Sequence, residues 1–129
     1  MRTAFIGLGV MGYPMAGFLV KGGHDTVVYN RSSDKAARWV DEYSGGSVPT
    51  PREAAQGADI VFVCVGNDDD VREVMLGADG VFAGVSEGAI VVDHTTASAT
   101  LARELHASAL DAGVGFLDAP VSGGQAGAE

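Results

Sequence analysis

Residues 5–12 read Phe5-Ile6-Gly7-Leu8-Gly9-Val10-Met11-Gly12, an apolar strand that runs into three glycines and out into a second apolar stretch, Tyr13-Pro14-Met15-Ala16. Glycine is so abundant, 19 of 129 residues, that a G-x-G-x-x-G spacing arises from composition alone about 0.4 times in such a chain. The spacing therefore carries little weight, and its setting carries more. The glycines directly follow a strand and open a helix inside a β-α-β unit of roughly 30 residues. In that setting Gly7 permits a tight turn, Gly9 leaves no Cβ in the path of a phosphate, and Gly12 lets the helix approach the strands. The helix N-terminus adds backbone N–H groups and positive potential. Gly7, Leu8, Gly9, Val10, Met11 and Gly12 are accordingly read as the cradle of a dinucleotide pyrophosphate.

Working outward, apolar runs of strand length recur at residues 3–8, 26–29, 60–65, 89–93 and 115–117. They are continuously apolar and rich in Val, Ile and Phe, as expected of parallel strands covered by helices on both faces. Helical spacing fills the intervals. Residues 11–20 stop at Gly22-Gly23, with Pro14 tolerable in the first turn. Ala36, Ala37 and Val40 mark residues 33–43, and Leu101, Leu105 and Leu110 mark residues 98–112 before Gly113. Thr50-Pro51-Arg52-Glu53 is a capping box with proline at the first helical position, predicting a helix to about Gln56. Trp39 is read as packing. The sum is an α/β, Rossmann-type, doubly wound and mostly parallel sheet, with residues 1–129 forming one dinucleotide-binding domain and no repeat or linker.

Composition narrows the partners. At 47% hydrophobic and 19% charged, with no apolar run near the roughly 20 residues of a membrane span, the chain reads as a globular domain. A formal charge of −9 argues against nucleic acid and anionic membranes, while backbone N–H groups still accommodate a small anion. The apolar run at the N-terminus breaks into glycine too early for a signal peptide, so a cytoplasmic location is expected. Cys64 is the only cysteine, which leaves no disulfide and no thiolate cluster for a metal; it is read as a buried strand residue.

The second strand ends at Asn30-Arg31-Ser32, where a site selective for NAD places an acid on the ribose hydroxyls. With Asn30 in that place a ribose 2′-phosphate meets no repulsion, and Arg31 with Ser32 or Ser33 offers charge-assisted hydrogen bonds. NADP is the expected cofactor. NAD remains the alternative, with Arg31 a solvated loop charge lying on the adenine.

Residues 5–16, Asn30-Arg31 and Asp118-Ala119-Pro120-Val121-Ser122-Gly123-Gly124 together resemble the β-hydroxyacid dehydrogenases, the family of 3-hydroxyisobutyrate dehydrogenase, tartronate semialdehyde reductase and the related 6-phosphogluconate dehydrogenases. The resemblance spans essentially the whole chain. It implies hydride transfer between a nicotinamide cofactor and a small 3-hydroxyacid, with Val65 and Gly66 lining the cofactor, Thr96 near the nicotinamide, and Ser122, Gly123 and Gly124 holding the substrate carboxylate. It implies a cofactor contact near Asp70 as well, where the family carries Asn. The family's catalytic lysine lies beyond the Ser-Gly-Gly loop, on a helix leading into an all-helical second domain through which its members form homo-oligomers. Neither Lys21 nor Lys35 matches it, so no catalytic residue is expected in this chain, and residues 126–129 carry no stop signal. The expectation is a cofactor-binding part of a longer enzyme, inactive alone.

Two other readings stay open at this stage, a free-standing dinucleotide-binding or sensing module and a methyltransferase, the latter disfavoured by Asn30 where such enzymes need an acid. Thr96 and Ser98 also suit helix caps, as do Asp68 and Asp69. His94, without a paired carboxylate or nucleophile, is read as structural.

Overall fold

A computed structural model describes residues 1–95 and 98–119. Strands β1 (Arg2–Ile6), β2 (Asp25–Tyr29), β3 (Gly46–Ser47), β4 (Ile60–Val63), β5 (Ile90–Asp93) and β6 (Gly115–Asp118) form one sheet in the order β3-β2-β1-β4-β5-β6. Every neighbouring pair is parallel. Helices α1 (Gly12–Lys21), α2 (Ser33–Tyr43), α3 (Pro51–Ala55), α4 (Asp68–Leu76), α5 (Val81–Gly84) and α6 (Ala99–Ala112) connect them. The strand order is that of a doubly wound dinucleotide fold, as the apolar runs predict.

Alternation along β1 sorts the core into two layers. Phe5 points with Val28 toward Ala16 of α1 and Ala36 and Trp39 of α2, while Ala4 and Ile6 point with Val61 and Val63 toward α3, α4, α5 and α6. Crossovers on one side of β1 thus cover one face and those on the other side cover the opposite face. Trp39 is fully buried, which bears out its reading as packing.

Several expectations change at their edges. The first strand stops at Ile6 rather than residue 8, because Gly7 turns the chain at φ +100°. The strand expected over residues 60–65 ends at Val63. Consequently Cys64 is not a buried strand residue but a half-buried one just past the strand end. Strand β3, a Gly-Ser pair, has no apolar signature and exists only through its register, Val27 to Gly46 and Val28 to Ser47. The Thr50 hydroxyl accepts from the Glu53 N–H at 3.1 Å, as the capping box predicts.

Removing the largest buried side chain tests the α2 layer. Trp39→Ala is expected to destabilise the chain by about 3–5 kcal/mol, read as a lower urea midpoint by far-UV circular dichroism.

Candidate functional site

Strands β1 and β4 are neighbours whose onward connections run to opposite sides of the sheet, so the chain parts above their C-terminal ends. A cleft of about 650 Å³ opens there, within the size range of cofactor sites. One wall is the β1–α1 turn, with Gly7, Gly9, Val10, Met11 and Gly12; a second is Tyr29 through Ser32 with Lys35. Cys64, Val65 and Gly66 after β4 and Asp70, Glu73 and Val74 of α4 complete it.

The three glycines differ in what requires them. Gly7 sits at φ +100°, and a Cβ there would run into the carbonyl of Cys64 and the Val65 side chain; a Cβ on Gly12 would run into the carbonyl of Gly7. Both are demanded by the fold itself. Gly9 is exposed, and a Cβ on it would meet nothing within 4 Å. At the start of α1, Met11 offers no side-chain oxygen to the first N–H groups, and no acid stands in the first turn. The helix therefore presents uncompensated positive potential to the cleft.

The turn is anchored at two points. The Gly7 N–H donates to the Tyr29 carbonyl at 2.8 Å, and the Leu8 N–H donates to Asn30 Oδ1 at 2.9 Å. Asn30 Nδ2 in turn donates to the Ser32 carbonyl at 3.2 Å. Asn30, placed by sequence where a ribose contact belongs, thus clamps both neighbouring loops, and Leu8 buries its side chain beneath the turn. Of the residues read as cofactor-binding, Gly7, Gly9, Val10, Met11, Gly12, Asn30, Arg31, Ser32, Val65 and Gly66 line this one cleft. Thr96, Ser122, Gly123 and Gly124 lie outside the described residues.

The opposite wall rests on a buried relay. The Val65 N–H donates to Thr95 Oγ1 at 3.0 Å, and the Thr95 N–H donates to Asp93 Oδ1 at 2.9 Å. Asp93 is 1% exposed. Burial raises its carboxyl above the ordinary carboxylate range; Thr95 pulls it back and Asp118 on β6 pushes it further up. Burial also raises the Cys64 thiol, with Asp93 adding to it, so Cys64 is a wall residue rather than a reactive thiolate. His94 turns Nδ1 to the Ala119 carbonyl at 2.8 Å and stacks on Phe62 at 5.9 Å, the structural role expected of it.

The caps need correction. Asn67, not Asp68 or Asp69, caps α4, its Oδ1 accepting from the Asp70 N–H at 2.9 Å. Asp68 instead accepts the Ser98 N–H at 3.0 Å; the Ser98 side chain and then its N–H lower the Asp68 pKa, and the Ser98 hydroxyl caps α6 by accepting from the Leu101 N–H.

Sequence reasoning did not place Tyr29, Lys35, Cys64, Glu73 or Val74 at the cleft. A signal existed for Lys35, three residues past Ser32 at the start of a recognisable helix. For Glu73 and Val74 the capping signal at Asp68 and Asp69 marked a helix start, but no helix was bounded beyond it.

Residues 2–129 match the family described as the NAD binding domain of 6-phosphogluconate dehydrogenase, and the chain belongs to that family. An uncharacterized oxidoreductase of Shewanella frigidimarina is 63% identical over 99% of this chain and 44% of its own length. The structure of Mycobacterium tuberculosis 3-hydroxyisobutyrate dehydrogenase with L-serine has a TM-score of 0.86 at 34% identity, covering 97% of this chain and 42% of that one. Psf3 in complex with NADP+ and 2-OPP has a TM-score of 0.88 at 31% identity, covering 97% of this chain and 44% of that one. The chain thus spans less than half the length of these relatives. The resemblance to hydroxyacid dehydrogenases holds, as does the Rossmann-type sheet, and this is a dinucleotide-binding domain of an oxidoreductase family. Among the described residues, no helix is long and apolar enough to cross a membrane.

The Asp93 carboxyl yields a pH test. Because its folded pKa lies above the unfolded value of 3.8, ionisation opposes folding: the penalty is absent at lower pH, grows as pH rises toward the folded pKa, and persists above it. Asp93→Asn keeps an acceptor for the Thr95 N–H and removes the charge. Its melting temperature is expected to exceed the parent's at pH 7, with the gap closing near pH 4; an equal gap at both pH values contradicts the shift.

Proposed function

We propose that this chain is the cofactor-binding part of an NAD(P)-dependent dehydrogenase acting on a small 3-hydroxyacid of the hydroxyisobutyrate kind, with NADP favoured over NAD. Gly9 carries the reading. The fold requires Gly7 and Gly12 but gives no steric reason for glycine at position 9, and a pyrophosphate lying against the turn supplies one. The 3-hydroxyisobutyrate dehydrogenase and the NADP+ complex among the relatives support the activity and the cofactor class.

In this reading the nicotinamide, when bound, supplies the hydride acceptor or donor. The chain's own residues bind and orient. The turn from Gly7 to Gly12 and the start of α1 hold the pyrophosphate, and Arg31, Ser32 and Lys35 hold the ribose end. Val65 and Gly66, braced by Thr95, keep water from one side. By resemblance, Thr96 flanks the nicotinamide, while Ser122, Gly123 and Gly124 take the substrate carboxylate.

Proton exchange with the substrate hydroxyl needs a general acid/base, and neither lysine suits it. Lys21 lies over the Phe18 and Tyr43 rings, and Lys35 stands on the Arg31 side of the cleft. We therefore place the catalytic lysine in a further helical domain, and expect no turnover from residues 1–129 alone. Exposed apolar side chains at this edge of the sheet support such a neighbour: the Phe5–Phe62–Val92 row ends at Leu117, which is 58% exposed, and Ile90 is 41% exposed. We take the complete enzyme to be a cytoplasmic homo-oligomer.

Gly9→Ala separates folding from binding. Its stability is expected to stay within about 0.5 kcal/mol of the parent, while NADPH affinity, by fluorescence titration, falls about tenfold or more. The parent is expected to bind NADPH more tightly than NADH. Undiminished NADPH binding by Gly9→Ala contradicts the pyrophosphate assignment, and equal parent affinities contradict the preference.

A further inference from the structure

At the end of the cleft beyond Asn30, two cations face two anions. Arg31 and Lys35 come from the β2–α2 side, and Asp70 and Glu73 from α4. Arg31 Nη2 lies 2.7 Å from Asp70 Oδ1 and 3.8 Å from Glu73 Oε2, so a guanidinium on one wall is tied to a carboxylate on the other. The two partners are not equally free. The Arg31 side chain is 72% exposed and that of Asp70 only 27%. The backbone of Asp70 is fixed by Asn67 at the start of α4, and Asp70 Oδ2 lies 2.9 Å from the position a Cβ on Gly66 would occupy. Glycine at 66 thus makes room for this carboxylate. Asp70 is the seated partner and Arg31 the long arm that reaches it.

Carboxylate and phosphate oxygens compete for the same guanidinium fork. A ribose 2′-phosphate, at about −1.5 to −2 charges, has to draw Arg31 away from Asp70 or share it, and in doing so approaches two further negative charges. NAD, with a hydroxyl there, incurs neither cost. We propose that Asp70 is a specificity-determining residue that holds Arg31 across the cleft and so caps the preference for a 2′-phosphate that Arg31 and the uncharged Asn30 confer. The proposal rests on the reading of the cleft as a nicotinamide dinucleotide site.

The test is a double-mutant cycle on the whole chain, with dissociation constants for NADPH and NADH measured for the parent, Asp70→Asn, Arg31→Ala and the double variant. Asp70→Asn leaves the Asn67 cap in place, and an unchanged melting temperature confirms the fold. It is expected to tighten NADPH binding about fivefold and NADH binding by less than about twofold, as fits an ion pair with one exposed partner. Without Arg31 the gain for NADPH is expected to shrink. Glu73→Gln, farther away, is expected to do less than Asp70→Asn. An Asp70→Asn variant with an unchanged NADPH-to-NADH ratio overturns the proposal while leaving the dehydrogenase reading intact. A gain that persists in full without Arg31 also overturns it, since repulsion alone then explains the effect. Failure of the parent to bind either cofactor overturns both.

Discussion

Backbone packed on backbone at the β1–α1 turn is the constraint on which the cleft depends. The carbonyl of Gly7 occupies the space a Cβ on Gly12 would need, and the carbonyl of Cys64 occupies the space a Cβ on Gly7 would need. One added methyl at either place drives the turn away from β4 or the helix away from the turn. These contacts bring the start of α1 over the ends of β1 and β4, where the opposite windings of the sheet leave a gap. The Asn30 side chain then locks the turn to the end of β2, and Thr95 locks the facing loop to β5. Each anchor is a side chain satisfying a loop N–H, which gives a non-repetitive backbone a fixed shape.

The electrostatics of the site are local rather than global. A chain of net charge −9 repels anions at a distance, yet the first turn of α1 carries no acid and its N-cap position no side-chain acceptor. The end of the cleft at the glycine turn is thus left positive by omission. Beyond Asn30, by contrast, Arg31 is balanced by Asp70 and Glu73. The same cleft thus carries uncompensated positive potential at one end and a compensated cation at the other.

Much of this was legible in the sequence, for identifiable reasons. Buried parallel strands leave continuous apolar runs, so β1, β2, β4, β5 and β6 were found, as was α2 with its bounds. Strand β3 left no trace because two residues, Gly46 and Ser47, join the sheet through backbone pairing alone. Helix α4 was signalled only at its start, where Asp68 and Asp69 read as caps although Asn67 is the cap, and its body, Asp70 to Leu76, left no apolar stripe long enough to bound it. The glycine turn, Asn30-Arg31 and Val65-Gly66 were found because each sits at a strand end. What Asn30 and Arg31 do there was not legible: Asn30 contacts Leu8, and Arg31 contacts an acid 39 residues away. Such partners are chosen by the fold and leave no local pattern.

The central claim is that a dinucleotide pyrophosphate lies against the Gly7–Gly12 turn. The most direct measurement is a titration of the isotope-labelled chain with NADPH, following its backbone amide resonances. The account predicts saturable shifts concentrated at Gly9, Val10, Met11 and Gly12, with smaller ones at Arg31, Ser32, Val65 and Gly66. Shifts centred elsewhere, or none under saturating NADPH, would contradict it.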